Sequence, residues 1–283
     1  MKISVSITDY SWSDGVGPGL DRIARAADAA GLDTLWVADH LLQAAPGSAP
    51  DSPMLEAYTT LGHLAARTER VRLGAMVSAA THRAPAMLIK AVTTLDVLSG
   101  GRAWLGIGAG YHEEEARALG LDLPPMRERF ERLEETLRLA RQMWAGDASP
   151  FEGRHHRLEH PVASPLPVRR PPVLIGGTGE RRTLPLVARY GDACNLFDIP
   201  DGGATLRRKL AVLAEACEAA GRPFAEVEKT VSTRLQDGEP AGVFSERCAA
   251  LGALGIDHAV VITAGPWTEA GVATLGAAAA ALR

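Results

Sequence analysis

The amino-acid sequence predicts a closed (β/α)8 barrel, the TIM-barrel fold, formed by a single domain over residues 1–283. Short apolar runs alternate with amphipathic helical patterns along the whole chain, which is typical of parallel strands joined by helices. Eight segments of each kind can be counted, and the chain length suits eight such units. In this fold side chains fill the interior, and the loops that follow the strands carry the chemistry.

The predicted strands are short and rich in β-branched or apolar residues. They cover residues 3–7, 34–37, 71–77, 103–107, 173–175, 193–196, 229–234 and 259–262. The predicted helices cover residues 20–30, 55–68, 85–98, 127–145, 182–190, 204–220, 243–254 and 269–282. Two longer connections, 41–54 and 146–172, are predicted insertions after strands 2 and 4, of the kind that forms lids or edge hairpins.

Composition narrows the function classes. The net charge is −4 and the basic residues are scattered, so we expect neither a nucleic-acid nor a membrane partner. The first residues lack a signal-peptide pattern and no run of 18 apolar residues occurs, so we expect a cytoplasmic protein. The widely spaced Cys194, Cys217 and Cys248 are expected to be reduced, buried thiols.

Asp39 and His40 directly follow the second predicted strand and therefore belong to the barrel mouth. His40 suits a general acid or base, because imidazole titrates near neutral pH. The alternative is a histidine that only forms a hydrogen bond within the rim. Asp39 likewise either serves the site or orients its neighbour and caps a helix.

The stretch "LGIGAGYHEEE" after the fourth strand looks like a dinucleotide-binding loop, but it is not one. A G-x-G-x-x-G fingerprint that starts at Gly106 would need glycine where Tyr111 stands. Gly108 and Gly110 instead predict a close approach of the backbone to a flat or bulky ligand. The acidic run 113–115 is predicted to occupy the first turn of a short helix, and at most one of its carboxylates need face the site.

A second glycine-rich stretch, "IGGTGERR", follows the fifth strand and precedes a helix. Gly176, Gly177 and Gly179 allow backbone amides to approach an anion, Thr178 adds a hydroxyl, and the helix amino terminus adds partial positive charge. The alternative is a tight turn without a ligand.

The histidines do not predict a metal site. His112 and Glu113 do not start an H-E-x-x-H motif, because residue 116 is alanine. No metal-like set of partners accompanies the histidines of the second insertion, His155, His156 and His160.

Several motifs in this order resemble the luciferase-like monooxygenase superfamily over nearly the whole chain. They are "WVADHL", "LGAMVSAATHRAPAMLIKAVTTLDVLSGGR", "LGIGAGYHEEEARALG", "LRLARQMW" and "PPVLIGGTGERRTLPLVARYGDACNLF". Within the superfamily the chain is similar to short bacterial members that use the deazaflavin coenzyme F420. Compact length favours F420, whereas the longer relatives that activate oxygen use FMN.

The resemblance implies a flavin or deazaflavin bound in the barrel mouth. It implies a non-prolyl cis peptide between Met76 and Val77 behind the cofactor ring, with His40 beside the reacting ring carbon. It also implies that "IGGTG" receives the cofactor phosphate. The predicted cofactor-binding residues are Asp39, His40, Met76, Val77, Ser78, Gly108, Ala109, Gly110, Tyr111, Gly176, Gly177, Thr178, Gly179 and Asn195.

The leading hypothesis is therefore a hydride-transferring, F420-dependent oxidoreductase that acts on a small organic substrate, with His40 as the catalytic residue. Alternatives are an FMN-dependent monooxygenase that uses O2 and a separate cofactor reductase, and a non-catalytic flavin- or deazaflavin-binding barrel. Some relatives carry glutamate at the position of Tyr111, which argues against their sugar-phosphate dehydrogenase activity here. Trp12, Leu42 and Tyr111 either line an apolar substrate pocket or only pack, and a homodimer is expected.

Overall fold

In a computed structural model, which describes residues 1–44 and 48–283, the chain forms the predicted (β/α)8 barrel. Its strands are β1 (Lys2–Ile7), β2 (Thr34–Val37), β3 (Arg72–Ala75), β4 (Ser78–Ala79), β5 (Leu105–Gly108), β6 (Phe151–Glu152), β7 (Arg157–Leu158), β8 (Val173–Gly176), β9 (Ala193–Phe197), β10 (Glu228–Arg234) and β11 (His258–Ile262). The parallel sheet runs in the order β3-β2-β1-β11-β10-β9-β8-β5-β4. A parallel bridge between Leu73 and Ala103 closes it, because β3 and β4 are two parts of one barrel strand.

The helices agree with the predicted pattern to within a few residues at most ends. They are α1 (Val16–Ala29), α2 (Ala57–Ala65), α3 (Pro85–Ser99), α4 (Glu113–Leu119), α5 (Met126–Trp144), α6 (Thr183–Tyr190), α7 (Ala204–Ala219), α8 (Ala241–Ala253) and α9 (Glu269–Ala281). α1 begins four residues before its predicted start, with Pro18 in its first turn, where proline is favourable.

The second insertion contains the antiparallel hairpin β6–β7. A hairpin is one of the two predicted forms of this insertion, the other being a lid. Residues 45–47 of the first insertion lie outside the described residues. All three cysteines are buried and free, in agreement with the sequence prediction. Among the described residues, no helix combines the length and the apolar character that crossing a bilayer requires.

Two tryptophans fill the barrel interior. The rings of Trp36 and Trp104 lie 5.6 Å apart and are almost completely buried, packed with Leu174 and Val260. Gly74 makes room for them, because a Cβ atom there would lie 2.6 Å from the Trp36 ring. These side chains separate the two ends of the barrel, and the larger described cavity lies above them, at the carboxyl ends of the strands.

A partly buried carboxylate joins three neighbouring strands at the opposite end. Glu228 of β10 accepts hydrogen bonds from Lys2 Nζ of β1 and from the His258 ring of β11, each at 2.8 Å. Burial acts to raise the pKa of Glu228, but His258 and Lys2 outweigh it and lower that pKa to about 2. The carboxylate therefore stabilises the folded barrel only while it is ionised.

We expect Glu228→Gln to lower the free energy of unfolding at neutral pH by about 1–3 kcal/mol. A glutamate in the unfolded chain has a pKa of about 4.3. The difference in unfolding free energy between variant and wild type is therefore complete above that pH and shrinks as the pH falls towards about 2. Urea unfolding of both proteins across this range measures it. Glu226→Gln is the matched control, because its side chain is 58% exposed and Arg222 is its one ionic partner among the described residues. Equal losses in the two variants would contradict a special role for Glu228.

Candidate active site at the barrel mouth

A cavity of about 880 Å3 opens at the carboxyl ends of the barrel strands. Thirteen of the fourteen predicted cofactor-binding residues line it, and Gly179 is the exception. Those thirteen residues are Asp39, His40, Met76, Val77, Ser78, Gly108, Ala109, Gly110, Tyr111, Gly176, Gly177, Thr178 and Asn195. The structure therefore brings together residues that come from five different barrel strands and the loops after them.

The third barrel strand is interrupted at the cavity by a non-prolyl cis peptide between Met76 and Val77, as the family resemblance implies. Val77 packs against two glycines of neighbouring strands: a Cβ atom would lie 3.1 Å from Val77 Cγ2 at Gly108, and 2.6 Å from it at Gly176. The glycines thus leave the space that the interrupted strand needs. Just beyond, the hydroxyl groups of Ser78 and Tyr58 are 3.0 Å apart and hydrogen bonded.

One wall of the cavity carries a chain of hydrogen bonds through His40. Its Nδ1 atom lies 3.0 Å from Oε2 of Glu115, and its Nε2 atom lies 3.3 Å from the Tyr111 hydroxyl. The other Glu115 oxygen accepts from the backbone amides of Leu41 at 2.6 Å and Leu42 at 3.0 Å. Glu115 therefore holds both the His40 ring and the start of the first insertion.

The charge on Glu115 determines which nitrogen of His40 carries a proton. Burial acts to raise the pKa of Glu115, but the amides of Leu42 and Leu41 and the His40 ring keep that pKa below its ordinary value. An ionised carboxylate only accepts hydrogen bonds, so Nδ1 of His40 donates to it. In neutral His40 this leaves the Nε2 lone pair directed towards Tyr111 at the cavity wall.

The acidic run 113–115 occupies the first turn of α4, as predicted. Both Glu113 and Glu115 line the cavity, because α4 begins at the mouth and its first turn borders it. The two differ in environment: Glu113 is exposed, whereas Glu115 is buried. His112 caps this helix, since its ring Nδ1 accepts a hydrogen bond from the Glu115 amide.

Asp39 is buried and already has a partner. Both of its carboxylate oxygens accept from the Arg83 guanidinium, at 2.6 and 2.9 Å, and Arg83 also donates to Glu56 at 2.5 Å. Burial opposes the charge on Arg83, but these carboxylates raise the pKa of its guanidinium. Of the two readings of Asp39, the geometry favours a residue that fixes the rim beside His40.

The glycine-rich loop after β8 has the features of an anion site. Gly177 and Thr178 line the cavity, and Gly177 has a φ of 107°, a conformation that favours glycine. Among the described residues, no carbonyl or side chain accepts a hydrogen bond from the amides of these two residues. The loop leads into α6, whose amino terminus adds favourable partial charge.

Two cationic or titratable residues at the cavity were missed by the sequence reasoning. His82 follows the interrupted strand, its Nε2 atom lies 3.8 Å from Glu115, and its Nδ1 atom is buried without a partner among the described residues. Burial lowers the pKa of His82. Arg129 of α5 also lines the cavity. The fragment "THRAP", directly after the third strand, is a signal that could have identified His82, whereas a helical arginine gives no such signal.

Two aromatic or apolar residues proposed for the substrate pocket do not line it. Trp12 is buried against Gly19, and its Nε1 atom donates to the Trp267 carbonyl at 2.8 Å. Leu42 does not line the cavity, and its backbone amide donates a hydrogen bond to the Glu115 carboxylate. Tyr111, in contrast, does line the cavity and is 69% exposed.

The histidines of the second insertion attach the hairpin to α5. His155 Nε2 lies 2.7 Å from the Glu131 carboxylate, and the carboxylate of Glu135 accepts from the amides of Arg154, His155 and His156. Within residues 1–44 and 48–283, no group of three or more His, Cys, Asp or Glu side chains is arranged to hold a metal ion.

The structure is thus a (β/α)8 barrel with a cavity at the carboxyl ends of its strands. The chain belongs to the luciferase-like monooxygenase family, whose family model matches residues 2–278.

Relatives and solved structures agree with this assignment. An "F420-dependent glucose-6-phosphate dehydrogenase" of Kineococcus radiotolerans is 35% identical over 79% of this chain and 66% of its own length. A protein of the same name from Amycolatopsis mediterranei is 33% identical over 76% of this chain and 64% of its own length. A solved F420-dependent secondary alcohol dehydrogenase with an F420-acetone adduct superposes with a TM-score of 0.86, at 17% identity, over 100% of this chain and 99% of that one. At this identity, the last likeness concerns the fold.

We expect Gly176→Ala to lower the free energy of unfolding by about 1–3 kcal/mol, because the new methyl group overlaps Val77 Cγ2. Val77→Ala in the same chain should remove much of that loss, since it removes the overlapping atoms. Urea unfolding of the two single variants and the double variant measures the coupling. Gly62→Ala, at an open helical site, should instead be neutral or stabilising. Strictly additive losses at 176 and 77 would contradict the proposed contact.

Proposed function

We propose that the protein is an F420-dependent oxidoreductase that transfers a hydride between the cofactor and a small organic substrate in the barrel mouth. The observation that carries the proposal is the Tyr111–His40–Glu115 hydrogen-bond chain, which borders a cavity that the glycine-rich loop after β8 also lines. The names of the relatives, which are identical at about a third of the aligned positions, support the choice of F420.

The residues present fit a deazaflavin with a phosphate-bearing side chain. Met76, Val77 and Ser78 would support its ring, and Gly108, Ala109 and Gly110 would pass beside it. The free amides of Gly177 and Thr178 would receive the phosphate, which matches their lack of partners among the described residues. Asn195 lies further along the same wall, where its amide nitrogen donates to the Ser232 hydroxyl at 2.9 Å.

A bound deazaflavin supplies a ring carbon that accepts or returns a hydride and reacts poorly with oxygen. In the direction of substrate oxidation, neutral His40 accepts the substrate hydroxyl proton at Nε2 while the carbon–hydrogen bond breaks and its hydride leaves. Ionised Glu115 stabilises the imidazolium that forms, through the bond to Nδ1. In the reverse direction His40 returns the proton to the carbonyl oxygen.

Tyr111 occupies the position from which a substrate hydroxyl would reach His40. Its own hydroxyl lies 3.3 Å from Nε2, and burial together with the nearby Glu115 carboxylate raises its pKa, so it remains a neutral donor. Tyr111 therefore either gives way to the substrate or passes the proton between substrate and histidine. Because some relatives carry glutamate here, the proposed substrate is a small organic molecule other than a sugar phosphate.

The proposal includes a homodimer, a cytoplasmic location, and a separate enzyme that returns the cofactor to its starting redox state. Three buried free thiols are in keeping with a reducing compartment.

The cofactor proposal predicts that the purified protein binds F420 more tightly than FMN. Fluorescence titration with each cofactor measures this preference. FMN binding without F420 binding, together with substrate-dependent oxygen consumption, would instead identify an FMN-dependent monooxygenase. F420 binding without turnover of any substrate in a panel of secondary alcohols and aldehydes would favour a non-catalytic barrel.

The His40 proposal predicts that His40→Asn lowers kcat/KM by about 10²–10⁴-fold, because the proton acceptor is lost. F420 affinity should change by less than about threefold, which separates proton transfer from cofactor binding. The loss of F420 absorbance with an active substrate of the panel measures the rate. His63→Asn, on α2 and paired with Asp21, is the control. Unchanged turnover in His40→Asn would overturn the role of His40.

A further inference from the structure

Arg129 lies in the first turn of α5 and is the one buried arginine among the described residues. Its Nη1 atom donates to the Gly110 carbonyl at 2.7 Å, and its Nε atom is buried without a partner among the described residues. Within the part of the chain that the structure describes, no carboxylate lies within 4.0 Å of this guanidinium, although it lines the cavity. Arg129 is therefore a buried cation whose hydrogen-bonding capacity is largely unused.

Two other cations of the described residues have carboxylate partners. Lys229, which is also buried, has the Asp257 carboxylate at 2.8 Å. Arg132, one helical turn after Arg129, binds Glu128 at 2.6 Å and Asp122 at 2.7 Å. A guanidinium removed from water without a counter-charge is unfavourable, and a bound anion removes that cost. The cavity side of Arg129 thus has the chemistry of an anion subsite.

The position of Arg129 indicates which anion binds. Its neighbour Phe130 also lines the cavity, and the Arg182 guanidinium lies 5.5 Å from the Phe130 ring. Arg182 ends the loop that starts with Gly177 and Thr178, so this contact links the first turn of α5 to the anion-binding loop. Arg129 accordingly belongs to the side of the mouth between β5 and β8, away from Phe197 and Ser232 on the opposite strands.

We infer that Arg129 binds the phosphate of the cofactor side chain, together with the amides of Gly177 and Thr178. This inference rests on the proposed function. An arginine adds a charged N–H donor to the neutral amides, and hydrogen bonds to phosphate from a charged donor are stronger than those from amides. The bond to the Gly110 carbonyl would then orient the guanidinium before the cofactor arrives. Arg129 is a binding residue in this assignment, with no part in proton transfer.

Titration with two related compounds tests the inference. F420 contains the phosphate, whereas its fragment FO has the same deazaflavin ring and ribityl chain without it. Arg129→Gln should weaken F420 binding at least tenfold and change FO binding by less than twofold, while Arg129→Lys should recover part of the loss. Arg132→Gln, on the same helix with its own carboxylate partners, should leave both affinities unchanged. Circular dichroism compares the folding of all variants.

The outcomes separate the two proposals. Equal weakening of F420 and FO in Arg129→Gln, or an unchanged F420 affinity, would overturn the phosphate assignment and reduce Arg129 to a support for Gly110. If the wild-type protein binds neither F420 nor FO, the proposed cofactor is wrong, and the pair FMN and riboflavin then tests Arg129 in the same way. Loss of FMN affinity alone would support the subsite, whereas binding of neither pair would overturn both proposals.

Discussion

The site depends on one steric constraint: Val77 must enter the space between neighbouring barrel strands. Side chains at Gly108 and Gly176 would collide with it. β5 and β8 therefore carry glycine at the level where the third barrel strand is interrupted. Gly106 has a similar role one step lower, since a Cβ atom there would lie 1.9 Å from the Ala75 carbonyl oxygen. The glycines that resemble a nucleotide fingerprint thus allow close packing of the strands.

A second constraint is electrostatic and acts between distant parts of the chain. Glu115 lies 75 positions from His40 in the sequence, yet its buried carboxylate holds that ring and the start of the first insertion together. Because the amides of Leu41 and Leu42 offset its burial, the charge persists near neutral pH. Protonating or removing this one carboxylate would release the histidine and the loop at the same time.

Local sequence patterns were sufficient to predict the fold, and thirteen of the fourteen predicted cofactor-binding residues line the cavity. Strands such as β2 and helices such as α3 carry their own signals, in β-branched runs, Pro85 and the left-handed Gly100. The residues that follow strands could be placed at the mouth because the fold dictates where strand ends meet.

The sequence did not predict the role of residues such as Arg129 and Trp12, because that role depends on which side chains lie near them in the folded structure. Arg129 looks like any helical arginine until its surroundings show no carboxylate among the described residues. Trp12 looked like a pocket residue because its loop is near the mouth, but a glycine on α1 allows it to pack inward. Such outcomes depend on contacts across many residues, which hydrophobic periodicity does not report.

The tryptophans in the barrel interior also affect the order of events in a catalytic cycle. Because Trp36 and Trp104 fill the lower interior, ligands enter and leave the cavity through the upper opening. Whatever rests on the floor beside Val77 is covered by whatever binds after it. In the proposed enzyme, a cofactor beside Val77 would therefore arrive before the substrate and leave after it, and its residence time would set how many substrate molecules are processed between exchanges.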